Sequence, residues 1–176
     1  MRDGSVLTRM LDADIPVLRS GRFVDVHAIA ALERDVDPVD VDVMPHTPYD
    51  LSYPLGVALA RWRRELLDPA FHVVVAEAPA RGIVAYCVSR DVGTDVWLEH
   101  IGVARDLQGT GLAARLLAGA RARHPGRELH LMVTETKARA RRFYEREGWV
   151  VAEREAPVVG IWAPPMVEYL RTPAFA

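Results

Sequence analysis

Several broad classes are excluded by what the chain lacks. It has a single cysteine among 176 residues, Cys87, so no internal disulfide can form. Cys87 lies in the strand-like run GIVAYCVS. A reactive thiolate wants a cationic or helix-start setting, so a small buried hydrophobe is expected there instead. The six histidines show no H-x-x-x-H or Cys/His pairing, and no metal site is expected from their spacing. There is no marked excess of either charge. Lys and Arg together number 22 against 24 for Asp and Glu, for a formal net charge of −2. That disfavours a general DNA- or RNA-binding surface. No apolar run is long enough to span a bilayer. The opening MRDGSVLTRMLDADIP carries charges where a secretory signal needs an apolar core, so a cytoplasmic location with no membrane partner is expected. Repeats, low-complexity tracts and linkers are also lacking, and a single domain is expected over residues 1–176, with 1–14 as an N-terminal extension.

What is present suits a globular domain. Half of the residues are apolar and 26% are charged, enough for a sizeable core. IPVLRSG reads as a first strand. FVDVHAIAALERDV carries Val26, Ile29, Ala30, Leu32 and Val36 at helical spacing. The Asp- and Pro-rich stretch after it reads as loop. LGVALARWRRELLDP is expected to be a helix with Leu55, Leu59, Trp62 and Leu66 inward. FHVVVAEAP and RGIVAYCVSRD form an antiparallel hairpin, and TDVWLEHIGV is a third strand. A helix then buries Leu112, Leu116, Leu117 and Ala120. RELHLMVTET is a strand, KARARRFYEREGW a short basic helix, and VVAEREAPVVGIW and MVEYLRT are late strands. This order implies an α/β (α+β) fold: a mixed, mostly antiparallel sheet of six to seven strands with helices on both faces.

The segment QGTGLA, Gln108 to Ala113, lies between a strand and a helix. A helix start leaves backbone N–H groups unpaired and partly positive, and glycines let a ligand approach them. An anion cradle and an ordinary tight turn both fit. The nucleoside-triphosphate loop does not, since no G-K-S/T follows. The dinucleotide fingerprint needs Ala114 in place of its last glycine and a βαβ context that is missing.

A better match is Q/R-x-x-G-x-G/A, satisfied by Gln108, Gly111 and Ala113. With IGVARD ahead and ARRFYEREGW (Ala140 to Trp149) behind, separated by one strand, the chain resembles the GNAT superfamily of acyl-CoA-dependent N-acetyltransferases over roughly residues 72–150. The resemblance implies acetyl-CoA as co-substrate. Its pyrophosphate would rest on the backbone of Gln108, Gly109, Thr110, Gly111, Leu112 and Ala113. Its pantetheine arm would lie along Ile101, Gly102 and Val103, where a bulge would splay the strand and Gly102 would ease the distortion. Ala140 and Phe143 belong to the same family block. Lys137 stands where the family often has Asn; Lys137, Arg141 or Arg142 could meet a CoA phosphate.

The resemblance also places Tyr144 opposite the CoA sulfur, as the acid that protonates the leaving thiolate. LEHIGV resembles the strand of small-amine members whose glutamate serves as base, making Glu99 the candidate base. His100 is the second choice, and a water chain is an alternative. Asp35, Asp37, Asp40, Asp42 and Asp50 lie in a stretch free of Lys and Arg up to Ala60. Their negative field would draw a cationic acceptor, and Tyr49, Tyr53 and Trp62 could add cation–π faces. Trp162 is a further candidate wall.

The expected function is transfer of an acetyl group from acetyl-CoA to a small, cationic primary amine, by a monomer or homodimer. A protein N-terminal or lysine acetyltransferase is the alternative enzyme. A non-catalytic acyl-CoA-binding regulatory domain is the alternative of another class. Acetylation of a charged transfer RNA is disfavoured by the near-neutral charge.

Overall fold

The structure is a computed structural model and describes residues 15–36, 55–152 and 166–173. Asp42, Tyr49, Tyr53, Trp162 and the extension 1–14 lie outside the described residues. In chain order the elements are β1 (Val17–Ser20), α1 (Val26–Val36), α2 (Leu55–Leu67), β2 (Phe71–Ala78), β3 (Gly82–Val92), β4 (Asp95–Val103), α3 (Leu112–Arg123), β5 (Leu129–Thr134), α4 (Ala138–Arg146), β6 (Val150–Val151) and β7 (Met166–Arg171). This is the order expected from the sequence. No described helix is long and apolar enough to cross a membrane.

Seven strands form one sheet in the order β1-β2-β3-β4-β5-β7-β6. Every neighbouring pair is antiparallel except β4 with β5, which is parallel. The mixed α/β fold expected from the sequence is therefore present, with the upper of the two strand counts.

Alternation along the strands sends side chains into two cores. On one face Ala85, Cys87, Leu98, Leu131 and Val133 pack with Leu112, Leu116, Leu117 and Ala120 of α3. On the other, Val73, Val75, Tyr86 and Val88 pack with Val26, Ile29 and Ala30 of α1 and Ala58 and Trp62 of α2. The buried stripe of α3 is the one its sequence spacing predicts. In α2 the stripe is rotated. Ala58, Trp62 and Glu65 are buried, whereas Leu55 is 42% exposed at the helix start. The expected inward position of Leu55 is therefore corrected. A charged residue, Glu65, takes a place in the core because Arg61, one turn back on the same helix, lies beside it.

Candidate active site

The site begins where two neighbouring strands part. β4 and β5 pair at only three positions, Val96 with Leu129, Trp97 with His130 and Leu98 with Leu131. On its other edge β4 pairs His100 with Val88 and Leu98 with Ser89, which leaves Glu99 as the extra residue of a bulge. A bulge bends its strand and sharpens the local twist, and here the parallel ladder ends where the bulge begins. The expected distortion at Ile101–Val103 is corrected accordingly: those residues pair in regular register with Cys87, Tyr86 and Ala85. Gly102 has another reason to be glycine. A Cβ there would lie 2.6 Å from the Tyr86 ring, and that ring is backed by Trp62 with centroids 5.0 Å apart.

Past β4 the chain makes a short 3-10 turn and reaches the glycine loop. Gly109 and Gly111 have φ of 84° and 87°, left-handed values that other residues adopt at a cost. A Cβ at either would meet nothing within 4 Å, so the space before both is open. Gly111 is the N-cap of α3, and no side chain caps that helix. The first-turn N–H groups are thus available to an anion, with the helix dipole behind them. The polar side chains of the loop fold back on it. Gln108 Nε2 donates to the Val103 carbonyl at 3.2 Å, and Thr110 Oγ1 donates to the Leu107 carbonyl at 2.7 Å. Leu112 points into the core and is 3% exposed.

A cleft of about 1130 Å³ opens here between the end of β4, the start of α3 and α4. Of the residues expected at the cofactor, Ile101, Gly102, Val103, Gln108, Gly109, Gly111, Ala113, Lys137, Ala140 and Phe143 line it, together with Tyr144. Thr110 and Leu112 are not among its lining residues. Lys137, Arg139, Arg142 and Arg146 supply four cations against one carboxylate, Glu147. Arg141, a sequence candidate for a phosphate, turns away instead. Its Nε donates to the Tyr169 hydroxyl at 3.1 Å and its Nη1 to the Glu135 carbonyl at 3.4 Å. Arg139 and Arg146 were not singled out from the sequence. Their positions relative to Arg142, three and four residues apart along one helix face, are the signal that would have found them.

Tyr144 sits at the inner end of this wall, 7% exposed. Its ring packs on Phe143 and Trp149 with centroids 5.2 and 5.9 Å away. Burial, with Cys87 close by, pushes the phenol above its ordinary value, so it stays protonated throughout the neutral range. Cys87 is fully buried, and burial pushes its thiol up to about 12. It is the inert small hydrophobe expected from the sequence.

The bulge at Glu99 also brings the two base candidates to one side of the sheet. Glu99 Oε1 accepts from Arg90 Nε at 2.5 Å, and the Arg90 guanidinium lies over Phe71 of the α1–α2 core. His100 faces the same core, 6.2 Å from the Trp62 ring. Arg61 Nη1 lies 2.6 Å from His100 Nε2. A guanidinium can only donate, so Nε2 must accept and the imidazole proton sits on Nδ1. The Nε2 lone pair of His100 is thereby occupied.

Arg61 also pairs with Glu33, whose second oxygen accepts from Trp62 Nε1 at 2.8 Å. Glu65, 2% exposed, lies 3.9 Å from Arg61 and 3.5 Å from His100 Nε2. Trp62 is wholly buried and already carries the Arg61 guanidinium 5.0 Å from its ring centroid. The expectation that it offers a face to an acceptor is corrected. Of the acidic stretch, Asp35 accepts from Arg105 through its carbonyl at 3.0 Å.

Known proteins share the family and the fold. A family model described as an acetyltransferase (GNAT) domain matches residues 54–170. A 5-NmdU N-acetyltransferase of Pseudomonas phage PaMx11 is 37% identical over 82 residues, 46% of this chain and 57% of the phage protein. The chain thus matches little more than half the length of that curated relative. Among solved structures, the PaiA N-acetyltransferase of Thermoplasma acidophilum in complex with coenzyme A superposes with a TM-score of 0.69 at 12% identity, covering 89% of this chain and 98% of that one. A spermidine N-acetyltransferase chimera from Vibrio cholerae gives 0.66 at 16% identity, covering 89% and 95%.

Proposed function

The chain belongs to the GNAT acetyltransferase family, and on that premise we propose that it transfers an acetyl group from acetyl-CoA to a small primary amine that is cationic in solution. The observation that carries the reading is the cleft itself. Parted strands, an uncapped helix start behind two left-handed glycines and a wall of four cations open onto one buried tyrosine. An elongated, polyanionic thioester suits that set of features.

In this reading the pyrophosphate rests on the N–H groups at Gly109, Gly111 and the first turn of α3, with the cations of α4 beside the other phosphate. The pantetheine arm runs along the free edge of Ile101–Val103. The thioester carbonyl then lies near the bulge, open to attack from the Glu99 side. The acceptor arrives as an ammonium, which has no lone pair, so one proton passes first to a carboxylate. Attack by the neutral nitrogen then forms the C–N bond, and the nitrogen, now strongly acidic, releases its second proton to water. Glu99 is the base, because one of its oxygens is free of the Arg90 contact, whereas the Nε2 lone pair of His100 is taken by Arg61. Collapse of the tetrahedral species breaks the C–S bond. Tyr144 donates to the departing sulfur. A thiol of ordinary acidity, near ~8.5, lies below a phenol near ~10 or above. Tyr144 therefore acts chiefly as a hydrogen-bond donor to the thiolate, one that ionisation does not remove.

The cationic acceptor is favoured by Glu99, whose second carboxylate oxygen is not engaged by Arg90, and by Glu65 beside Arg61 on the same face. A thiol-release assay with acetyl-CoA against spermidine, 5-NmdU, simple monoamines and peptides with free N-termini tests the reading. Saturable release with at least one small amine is expected. Tight coenzyme A binding with no acceleration by any of them would leave a binding domain and overturn it.

A further inference from the structure

We propose that His72, Asp91 and His124 form a binding site for one divalent transition-metal ion of the zinc type, at the opposite end of α3 from the cleft. The three residues come from the start of β2, the end of β3 and the residue that closes α3. Their candidate ligand atoms all lie within 4.8 Å of one another. His72 Nε2 is 2.8 Å from Asp91 Oδ2, and His124 Nδ1 is 3.7 Å from Asp91 Oδ1. Neighbouring ligands of a tetrahedral zinc, with bonds near ~2.0–2.1 Å, stand about 3.3 Å apart. The His72 gap is shorter than that value, and the His124 gap, which runs to the other carboxylate oxygen, is longer; with all three ligand atoms within 4.8 Å of one another, side-chain rotations would close the site.

The surroundings favour ligation. His124 is 4% exposed, and its Nε2 is bonded to the buried hydroxyl of Ser89 at 2.9 Å. That contact orients the ring and leaves Nδ1 turned to Asp91, the arrangement in which a metal-bound imidazole is held through its other nitrogen. His72 and Asp91 are each about one-third exposed, at 36% and 33% of their side chains, which provides an entry path and room for a water ligand. The rings of His72 and His124 meet edge to face with centroids 4.8 Å apart. Two imidazoles and one carboxylate suit zinc, nickel or copper rather than calcium or magnesium, which take oxygen ligands. Arg127 pairs with Asp91 Oδ1 and also holds the carbonyls of Gly93 and Asp95 at 2.9 and 3.0 Å. It fixes the carboxylate with Oδ2 toward His72, and its charge weakens the site without blocking it.

An ion here would clamp the C-terminal end of α3 to the β2–β3 hairpin. The sequence spacing hid it, since the three residues lie on three separate elements. The full chain, stripped with a chelator and titrated with zinc chloride alone, tests the proposal by calorimetry and thermal melting. One equivalent of saturable binding and a melting temperature raised by excess zinc are expected. His72→Ala and Asp91→Asn should each weaken binding at least tenfold. Cobalt substitution should produce visible absorption bands that both variants lose. No saturable binding below millimolar zinc, or binding and cobalt bands unchanged in both variants, would overturn the site. Because His72 is not among the residues that line the cleft, its variant should keep acetyl-transfer activity.

Discussion

The cleft at the end of β4 and the α1–α2 face beside its middle are built by different means. The cleft is shaped by backbone: a bulge, two left-handed glycines, an uncapped helix start and a close approach of strand to ring at Gly102. Its charged side chains, on α4, line open space. The α1–α2 face is shaped by side chains. Glu33, Arg61, Trp62, Glu65 and His100 hold one another through ion pairs and hydrogen bonds in a mostly buried cluster. A backbone cradle accepts any molecule with the right phosphates and arm. A side-chain network specifies what lies over it, and it can be rewritten one residue at a time. The first arrangement fits a co-substrate common to a family, and the second an acceptor particular to one member.

If the two regions work as separate devices, variants should separate them. Tyr144→Phe should lower kcat by about 10³-fold while the coenzyme A dissociation constant stays within about twofold, as read by steady-state kinetics and calorimetry. Undiminished turnover would remove the tyrosine from the chemistry. Arg61→Leu should act on the other region. It strands Glu33 and Glu65 among buried neighbours and should cost about 3 kcal/mol in a denaturant titration. Coenzyme A affinity should hardly change. A parallel loss of that affinity would show that the regions are mechanically one.

Glu99→Gln probes the boundary between them. At pH 7 kcat/KM for the amine should fall about 10²-fold. The gap should narrow as pH rises and more acceptor is already deprotonated. A gap constant across the pH profile would mean that Glu99 positions the amine and takes no proton. The smallest effect is expected at Gly102→Ala. The added methyl meets the Tyr86 ring, which Trp62 backs, so about 2 kcal/mol of stability should go. Weaker coenzyme A binding should accompany it, because the strand must shift away from Tyr86. Pairing it with Tyr86→Leu should return part of both losses, and a double-mutant cycle measures how much.

Much of the cleft was legible in the sequence because it is local. Gly109 and Gly111 announce left-handed backbone, Leu112, Leu116, Leu117 and Ala120 announce the buried face of α3, and FYEREGW announces a short helix ending at Gly148. The α1–α2 face was far less legible. Leu55 looked inward by periodicity and is exposed at a helix start, while Glu65, absent from the apolar stripe, is buried. The sequence pointed to a carboxylate at Glu99 but not to its partner Arg90, on the neighbouring strand. Trp62 was legible as an inward residue of its helix, and its second reading as a face for a ligand fails because it is wholly core. His72, Asp91 and His124 carry no spacing motif at all.

The sequence by itself determined the order of strands and helices, the turn at the two glycines and the residues that face the α3 core. Each depends on backbone preference or on periodicity within a few residues. Only the tertiary structure decided where β4 leaves β5, that Glu99 and His100 share a side, that Arg61 occupies the histidine nitrogen, and that α4 turns Arg142 into the cleft and Arg141 out of it. Those outcomes depend on register between strands and on charges brought together from distant elements. Neither exists until the sheet has paired and the helices have packed.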